Sequence, residues 1–195
     1  MNFLAHLHLS GSDHDIMIGN FIGDFVRGRN LKEQFGDGIA RGIELHRAID
    51  EFTDTHLIVQ QSKNRLRPKY RHYAGVIVDM FYDYYLAKNW SDYHDQPLND
   101  YAQEFYALTK KYNLILPERA KRLLIYMEQG NWLVNYGKTE GIHRALSGMA
   151  SRTPFWSKME EAVNDLVEYD KLFEIEFRKF FPELQTFSAN WLKEE

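Results

Sequence analysis

The segment GIELHRAIDEFTDTH, residues 42–56, decides the fold of this chain. Within it and in the residues beside it, apolar side chains recur at the three- and four-residue spacing of an amphipathic helix. These side chains are Ile39, Ile43, Ile49, Phe52 and Leu57. The spacing predicts one long helix over residues 38–61.

The same periodicity, with prolines and capping residues at helix starts, predicts helices in most of the remaining chain. They cover residues 16–28, 74–90, 98–112, 118–129, 140–152 and 158–181. Only residues 3–9 depart from this pattern, because histidine and leucine alternate there. That alternation favours an extended segment with His6 and His8 on one side. We therefore expect an all-α, bundle-like fold that forms a single domain over residues 1–195.

Composition limits the chemistry of the protein. The 195 residues suit one medium domain, and an aromatic content of 15% predicts an aromatic-rich core. Cysteine is absent, so disulfides and thiolate ligands are excluded, and any metal must be held by histidine and carboxylate. The first residues have neither a basic region nor a long apolar run, which predicts a cytoplasmic protein without a membrane anchor. A net charge of -4 argues against general nucleic-acid binding.

Acidic residues are missing from residues 57–78, where basic residues alternate through KNRLRPKYRH. The basic residues are Lys63, Arg65, Arg67, Lys69 and Arg71. Because Pro68 interrupts a helix, we expect a basic loop or helix end here. An ordinary solvated turn is the alternative interpretation.

His46, Asp50 and Asp54 follow one another at four-residue spacing, so on a helix they share one face. Neighbours in this series are about 6 Å apart along the axis, and the outer two are about 12 Å apart. At most two neighbours can therefore bind the same ion, and distant segments must complete the site. A solvated polar face is the alternative.

Three more carboxylates stand among apolar residues, where an ionised group needs a partner. Asp79 and Asp83 repeat the four-residue spacing, and Asp24 lies in the helix predicted for residues 16–28. Each could ligate a metal. Asp83 could instead pair with Arg47 or Arg71, and Asp24 could serve as a cap or in a buried ion pair.

Imidazole nitrogens from His6 and His8 would give these carboxylates a mixed N/O site suited to Mn²⁺, Fe²⁺ or Zn²⁺. Either histidine alone is more often a structural group. The dipeptides His14-Asp15 and His94-Asp95 lie in polar segments without apolar walls, and we interpret neither as a metal site. Motifs for a phosphate-binding loop or a nucleophilic serine are absent.

Four blocks, MNFLAHLHLS, GNFIGDFVRG, GIELHRAIDEFTDTH and VDMFYDYYLAKNW, occur in this order, and GIHRALSGMASR follows them. Together they resemble the acyl carrier protein phosphodiesterase family, which is similar to the HD-type metal phosphohydrolases. The resemblance implies an all-helical fold. It also implies hydrolysis of the phosphodiester between 4′-phosphopantetheine and a serine of holo-acyl carrier protein, usually with Mn²⁺, although Mg²⁺, Fe²⁺ or Zn²⁺ would also suit oxygen and nitrogen ligands.

The resemblance also assigns roles to the spaced residues. Asp24, His46, Asp50 and Asp79 would bind the ion, with His6 as a further ligand, and the three carboxylates Asp24, Asp50 and Asp79 would take part in catalysis. His8, Asp54, His56 and Asp83 would support these ligands or bind a second ion.

Acyl carrier proteins are acidic, so a basic surface is expected beside the metal site. The candidates are Arg27, Arg29, Arg47, Lys63, Arg65, Arg67, Lys69 and Arg71. Two other functions are compatible with the sequence. One keeps the metal site but acts on a nucleotide or a small phosphodiester, and the other is a non-catalytic module that binds an acidic carrier.

Overall fold

The structure is a computed structural model that describes residues 1–194. No β-strand occurs among these residues, so the prediction of an all-α fold is confirmed. The α-helices are α1 (Phe3–His8), α2 (His14–Ile22), α3 (Leu31–Phe35), α4 (Asp37–Thr55), α5 (Leu57–Tyr70), α6 (Ala74–Lys88), α7 (Leu98–Lys111), α8 (Glu118–Gln129), α9 (Trp132–Asn135), α10 (Thr139–Ala150), α11 (Ala162–Glu168) and α12 (Asp170–Trp191). Short 3-10 turns cover Gly23–Phe25, Arg71–Tyr73, Trp90–Asp92 and Met159–Glu161. The predicted domain includes Glu195, which lies outside the described residues.

The N-terminal segment is a helix, so the prediction of an extended segment is wrong. Asp83 on α6 explains the difference, because its carboxylate accepts hydrogen bonds from the backbone N–H groups of Leu4 at 2.8 Å and of Ala5 at 3.3 Å. These are donors that the first turn of a helix leaves unpaired. As a result, residues two positions apart, such as His6 and His8, point in different directions.

Helices α2 and α4 pack with their backbones almost in contact. A Cβ atom added at Gly19 would lie 2.1 Å from the carbonyl oxygen of Ile39, and one added at Gly42 would lie 2.2 Å from that of Ile16. Neither position can therefore carry a side chain without moving a helix. This close approach brings residues 16–20 of α2 beside residues 39–42 in the first turns of α4.

The helix predicted over residues 38–61 is interrupted at His56, whose backbone is extended with φ −70° and ψ 131°. The imidazole of His56 accepts a hydrogen bond from Ile58 N–H at 3.3 Å and so caps α5. Pro68 does not interrupt α5, contrary to the prediction; the helix continues to Tyr70 and ends at Arg71, which has φ 53°. Of the two predicted alternatives, a loop or a helix end, the basic segment is the helix end, because residues 63–70 form the C-terminal half of α5.

Most other predicted helices are observed, although the last one is divided. Residues 158–181 form a 3-10 turn, α11 and the first half of α12, with a break at Tyr169. The short helices α3 and α9 were not predicted. They contain five and four residues, too few for a hydrophobic period to be recognised.

The core is rich in aromatic residues, as the composition predicts. Helix α12 packs against α5 and α6, where Phe177 meets Tyr82 edge-on at 5.7 Å between ring centroids and Phe173 meets Phe81 at 5.1 Å. All four side chains are buried. Across residues 1–194, no helix combines the length and apolar character that a membrane crossing requires.

Candidate metal centre

Helices α1 and α4 bring His6, His46 and Asp50 together. The Nε2 atom of His6 lies 3.2 Å from Asp50 Oδ1, and the Nε2 atom of His46 lies 3.2 Å from Asp50 Oδ2. One ligand atom from each of the three residues falls within 4.8 Å of the other two. The four-residue spacing on α4 supplies two of these residues, and α1 supplies the third.

Asn20 on α2 orients both histidines. Its side-chain oxygen lies 2.8 Å from His6 Nδ1, and its backbone oxygen lies 2.8 Å from His46 Nδ1. The amide nitrogen of Asn20 donates to His6 O at 2.8 Å and to Ser10 Oγ at 2.9 Å. Because each Nδ1 is occupied, both Nε2 atoms remain directed toward Asp50. Asn20 is not among the residues predicted from the sequence, because its position within GNFIGDF gives no spacing signal.

Asp24 lies on the 3-10 turn after α2, rather than inside a helix as predicted. Its Oδ1 atom is 3.3 Å from His46 Nε2, and its side chain is exposed. Gly23 makes this approach possible, because a Cβ atom there would lie 2.3 Å from the imidazole of His46. The turn thus places an exposed carboxylate against a buried histidine.

Asp79 on α6 faces the same centre across a small cavity of about 270 Å³, whose lining includes Asp24, Asp50, Asp54 and Asp79. The Met1 ammonium group lies 3.1 Å from Asp79 Oδ1 and 3.6 Å from Asp50 Oδ1. A positive charge therefore fits between these two carboxylates. Four acidic side chains around one small cavity favour a cation.

The pKa values of the clustered side chains shift in different directions. Burial, followed by the nearby His46, lowers the pKa of His6. Burial also opposes protonation of His46, but hydrogen bonds to Asp24 and Asp50 outweigh it and raise the pKa of His46 to about 9. The hydrogen bond with His46 lowers the pKa of Asp24. For Asp50, burial favours the neutral acid, yet hydrogen bonds with His46 and His6 and the Met1 ammonium lower its pKa.

The donor set fits a divalent transition metal or Mg²⁺. Two ligands about 2.1 Å from an ion and at right angles are about 3 Å apart, close to the 3.2 Å separations in this cluster. Among residues 1–194, His6 Nε2 is a buried atom without a hydrogen-bond partner, although Asp50 Oδ1 lies 3.2 Å from it. Such an atom needs an explanation in a folded protein, and coordination of an ion would provide one.

Comparison with known proteins adds a separate observation. A family model described as acyl carrier protein phosphodiesterase matches residues 1–184. The chain belongs to the acyl carrier protein phosphodiesterase family. This agrees with the resemblance seen in the sequence blocks. No solved structure matches the chain significantly, so the similarity of the family to HD-type phosphohydrolases stays a prediction for this fold.

Individual relatives match almost the whole chain. The acyl carrier protein phosphodiesterase of Klebsiella pneumoniae is 34% identical over 195 residues, with 97% of this chain and 98% of the relative covered. That of Photorhabdus laumondii is 31% identical, with coverage of 97% and 96%. That of Escherichia coli is 36% identical over 190 residues, with coverage of 94% and 95%.

Two further carboxylates predicted at this family member's site have other contacts. Asp83 is fully buried and caps α1, and burial raises its pKa to about 7 against the opposing effects of the Met1 ammonium and the backbone N–H groups. Asp54 lines the cavity but lies 2.6 Å from Lys63 Nζ. Asp83 therefore holds α1 in place, and Asp54 borders the cavity as an ion pair.

His8 and His56 lie apart from the cluster. The Nε2 atom of His8 contacts Gln185 at 3.1 Å, and its ring packs against Trp90 at 5.4 Å. Burial, followed by the effect of nearby His94, lowers the pKa of His8 to about 4. His56 caps α5 and lies 3.2 Å from Glu183. The helical form of α1 explains why His8 does not accompany His6.

Much of the predicted basic surface is paired within the protein. Lys63 binds Asp54, Arg65 binds both carboxylate oxygens of Glu176, and Lys69 contacts Asp165 at 3.0 Å. Arg67 donates to Gln60 and Asn64, and Arg47 donates to Gly28 O. The remaining members of the predicted surface, all exposed, are Arg27, Arg29 and Arg71. Pairing of Lys63, Arg65 and Lys69 reduces the positive charge that residues 63–71 have available to bind an acidic partner.

Two histidine-aspartate dipeptides of the sequence lie outside the cluster. Asp15 accepts a hydrogen bond from the hydroxyl group of Tyr112. His94 stacks on Trp90 with ring centroids 5.0 Å apart. The dipeptides therefore belong to packing contacts of α2 and of the turn after α6.

Proposed function

We propose that this protein is a metal-dependent phosphodiesterase that releases 4′-phosphopantetheine from holo-acyl carrier protein. The observation that carries the proposal is the convergence of His6, His46 and Asp50 on one point within a family whose members are named acyl carrier protein phosphodiesterases. The proposal also includes the single domain and the cytoplasmic location that the sequence predicts.

In this proposal His6 Nε2, His46 Nε2 and a carboxylate oxygen of Asp50 hold the ion, and Asp79 faces it across the cavity. A bound divalent ion would supply Lewis acidity toward the phosphoryl oxygens and would lower the pKa of a water molecule. Mn²⁺ suits this donor set, as do Mg²⁺, Fe²⁺ and Zn²⁺.

Asp24 is placed to accept the proton of the attacking water. Its carboxylate is exposed at the mouth of the centre, and a carboxylate is ordinarily ionised at neutral pH. The oxygen of water forms a bond to phosphorus as the bond from phosphorus to the serine oxygen breaks. The serine oxygen takes up a proton, and apo-carrier protein and phosphopantetheine are the products.

The mass of the carrier protein tests the proposal. Purified protein is incubated with holo-acyl carrier protein and Mn²⁺, and we expect loss of the phosphopantetheine mass and inhibition by a chelator. Asp50→Asn should reduce turnover by orders of magnitude, because it removes an ion ligand. Asp95→Asn is the matched control, since Asp95 is exposed and lies outside the cluster.

Other outcomes would identify the alternative functions. Release of product from a small phosphodiester but not from the carrier would identify the small phosphodiester as the substrate of the same metal-dependent reaction. Unchanged function in Asp24→Ala and Asp50→Ala would instead indicate a non-catalytic module that binds an acidic carrier.

A further inference from the structure

A large groove lies beside the metal centre, between α8 and α10. Its volume is about 1180 Å³, and its lining includes four arginines. Arg119 and Arg122 come from α8, Arg144 comes from α10, and Arg152 follows the end of α10. These arginines are not part of the basic surface predicted from the sequence, because they are scattered over two segments rather than clustered in one.

The four guanidinium groups form no ion pair within the described chain. Among residues 1–194, the ion pairs and side-chain hydrogen bonds include none from Arg119, Arg122, Arg144 or Arg152. All four side chains are exposed. Asp24 is the one acidic residue among those that line the groove, so the groove is strongly positive although the chain carries a net charge of -4.

The groove leads to the metal centre. Phe3, Asp24 and Met149 line both the groove and the small cavity beside Asp50 and Asp79. A ligand that lies in the groove therefore has access to the point where His6, His46 and Asp50 meet. Because Asp24 stands at the junction, the proposed proton acceptor faces both spaces.

The arrangement of the arginines matches an extended partner rather than one small anion. Arg119 and Arg122 stand on one wall of the groove, and Arg144 and Arg152 belong to the other segment. The step from Arg144 to Ala150, where α10 ends, corresponds to about 9 Å, and Arg152 lies beyond it, so the charges are spread along the groove rather than gathered around one phosphate. None of the four is buried, whereas a built phosphate site would enclose at least one.

We infer that the groove between α8 and α10 is the docking surface for the acidic face of the protein substrate. The inference rests on the proposed function, because the relatives' name supplies the partner as a protein. Complementary charge then requires that carboxylates of the carrier protein face the arginines of the groove. The groove, rather than the basic residues of α5, steers the carrier toward the metal centre.

Binding to apo-carrier protein tests the docking surface without any turnover. The dissociation constant is measured by fluorescence anisotropy with labelled apo-carrier and chelator-treated enzyme at low salt. Arg122→Glu/Arg144→Glu should weaken binding by about tenfold or more and reduce its salt dependence. The matched control, Lys171→Glu/Lys179→Glu, changes the same charge on exposed residues of α12 and should leave the dissociation constant within about twofold.

Two results would overturn the docking surface. One is unchanged binding by Arg122→Glu/Arg144→Glu. The other is a larger loss of binding in Arg67→Glu, which would locate the carrier on α5. Circular dichroism of each variant checks that the exposed substitutions leave the fold intact. The milder Arg122→Gln/Arg144→Gln variant repeats the test without adding negative charge.

Hydrolysis of two substrates separates docking from chemistry. In Arg122→Glu/Arg144→Glu, KM for holo-carrier protein should rise while kcat for bis(4-nitrophenyl) phosphate stays unchanged. An equal loss on both substrates would overturn the inference, because the arginines would then serve the reacting phosphate. If wild-type protein binds the carrier through the groove but releases no phosphopantetheine, the docking surface stands and the proposed function fails.

Discussion

The imidazole rings of His6 and His46 stack with their centroids 4.0 Å apart and their planes 18° from parallel. The two rings come from α1 and α4, and Asn20 on α2 holds the Nδ1 atom of each. Their Nε2 atoms consequently both contact the carboxylate of Asp50. Packing thus arranges the proposed ligands in advance, as a metal site would require.

Removal of the shared carboxylate should abolish tight ion binding. Asp50→Asn keeps the size of the side chain but loses the negative charge and one ligand oxygen. We expect the affinity for Mn²⁺, measured by isothermal titration calorimetry, to fall by about 100-fold or more. Asp95→Asn serves as the control and should bind as wild type does. Equal affinities in Asp50→Asn and wild type would contradict the assignment.

Ion binding should release a proton at neutral pH. Hydrogen bonds to Asp24 and Asp50 outweigh the effect of burial and raise the pKa of His46 to about 9, so His46 is protonated at pH 7 and must lose that proton to become a ligand. The affinity for Mn²⁺ should therefore increase with pH up to about 9. Calorimetry in buffers of different ionisation enthalpy measures the release, and a value near zero would exclude His46 as a ligand.

Asn20 should matter for both stability and ion binding. Asn20→Ala leaves His6 Nδ1 without a buried partner, and it removes one hydrogen bond each from His6 O and Ser10 Oγ, which keep the bond between them. The loss should cost about 1–3 kcal/mol of stability. The two rings lose one support, so the affinity for Mn²⁺ should fall by about 10- to 100-fold. Urea unfolding and calorimetry give the two values, with exposed Asn99→Ala as the control. A stability loss without any change in affinity would limit Asn20 to a packing role.

The contact between α2 and α4 should not tolerate a methyl group. A Cβ atom at Gly42 would lie 2.2 Å from Ile16 O, so Gly42→Ala must push the helices apart and should cost about 1–3 kcal/mol. In Gly75→Ala the nearest atom is Lys63 Cε at 3.8 Å, and we expect equal or slightly higher stability there. Thermal unfolding compares the two variants, and similar melting temperatures would show that α2 and α4 adjust freely.

Acid should destabilise the protein partly through His8. Burial, with a contribution from His94, lowers the pKa of His8 in the folded protein to about 4 from a usual value of 6.5. Between these values the unfolded chain binds a proton that the folded chain does not, so the free energy of unfolding decreases as pH falls from about 6.5 to about 4. The loss attributable to His8 is on the order of 3 kcal/mol.

Comparison with His8→Gln isolates this contribution. Glutamine does not titrate, so the difference in unfolding free energy between the two proteins should change with pH only in this window. Urea unfolding at pH 7, 6, 5 and 4.5 measures it. Parallel pH profiles for wild type and His8→Gln would contradict a lowered pKa at His8.

The sequence predicts those helices whose apolar period is long enough to be read, such as α4 and α6. It fails where a distant residue decides the local structure. Residues 3–9 alternate like a strand, but the carboxylate of Asp83 provides the cap that makes them helical. The break at His56 is similar, because it depends on a side-chain cap and on the contact with Glu183.

The candidate site likewise contains residues that the sequence predicts and residues that it does not. The four-residue spacing on one helix allows His46 and Asp50 to be predicted as neighbours, and the limit of two ligands per ion from that helix agrees with the geometry. Asn20 and the arginines of the groove have no such spacing. Asn20 is a neutral residue that acts through packing of α2 on α4, and Arg122 and Arg144 meet only because α8 and α10 border the same groove.

The bond from Leu4 N–H to Asp83 spans 79 positions of sequence, so α1 has its cap only while it is packed against α6. His6 lies on α1, whereas His46 and Asp50 lie together on α4. Any opening that separates α1 from α6 therefore takes His6 away from the other two side chains. Loss of the cap and loss of the three-residue cluster are thus one event.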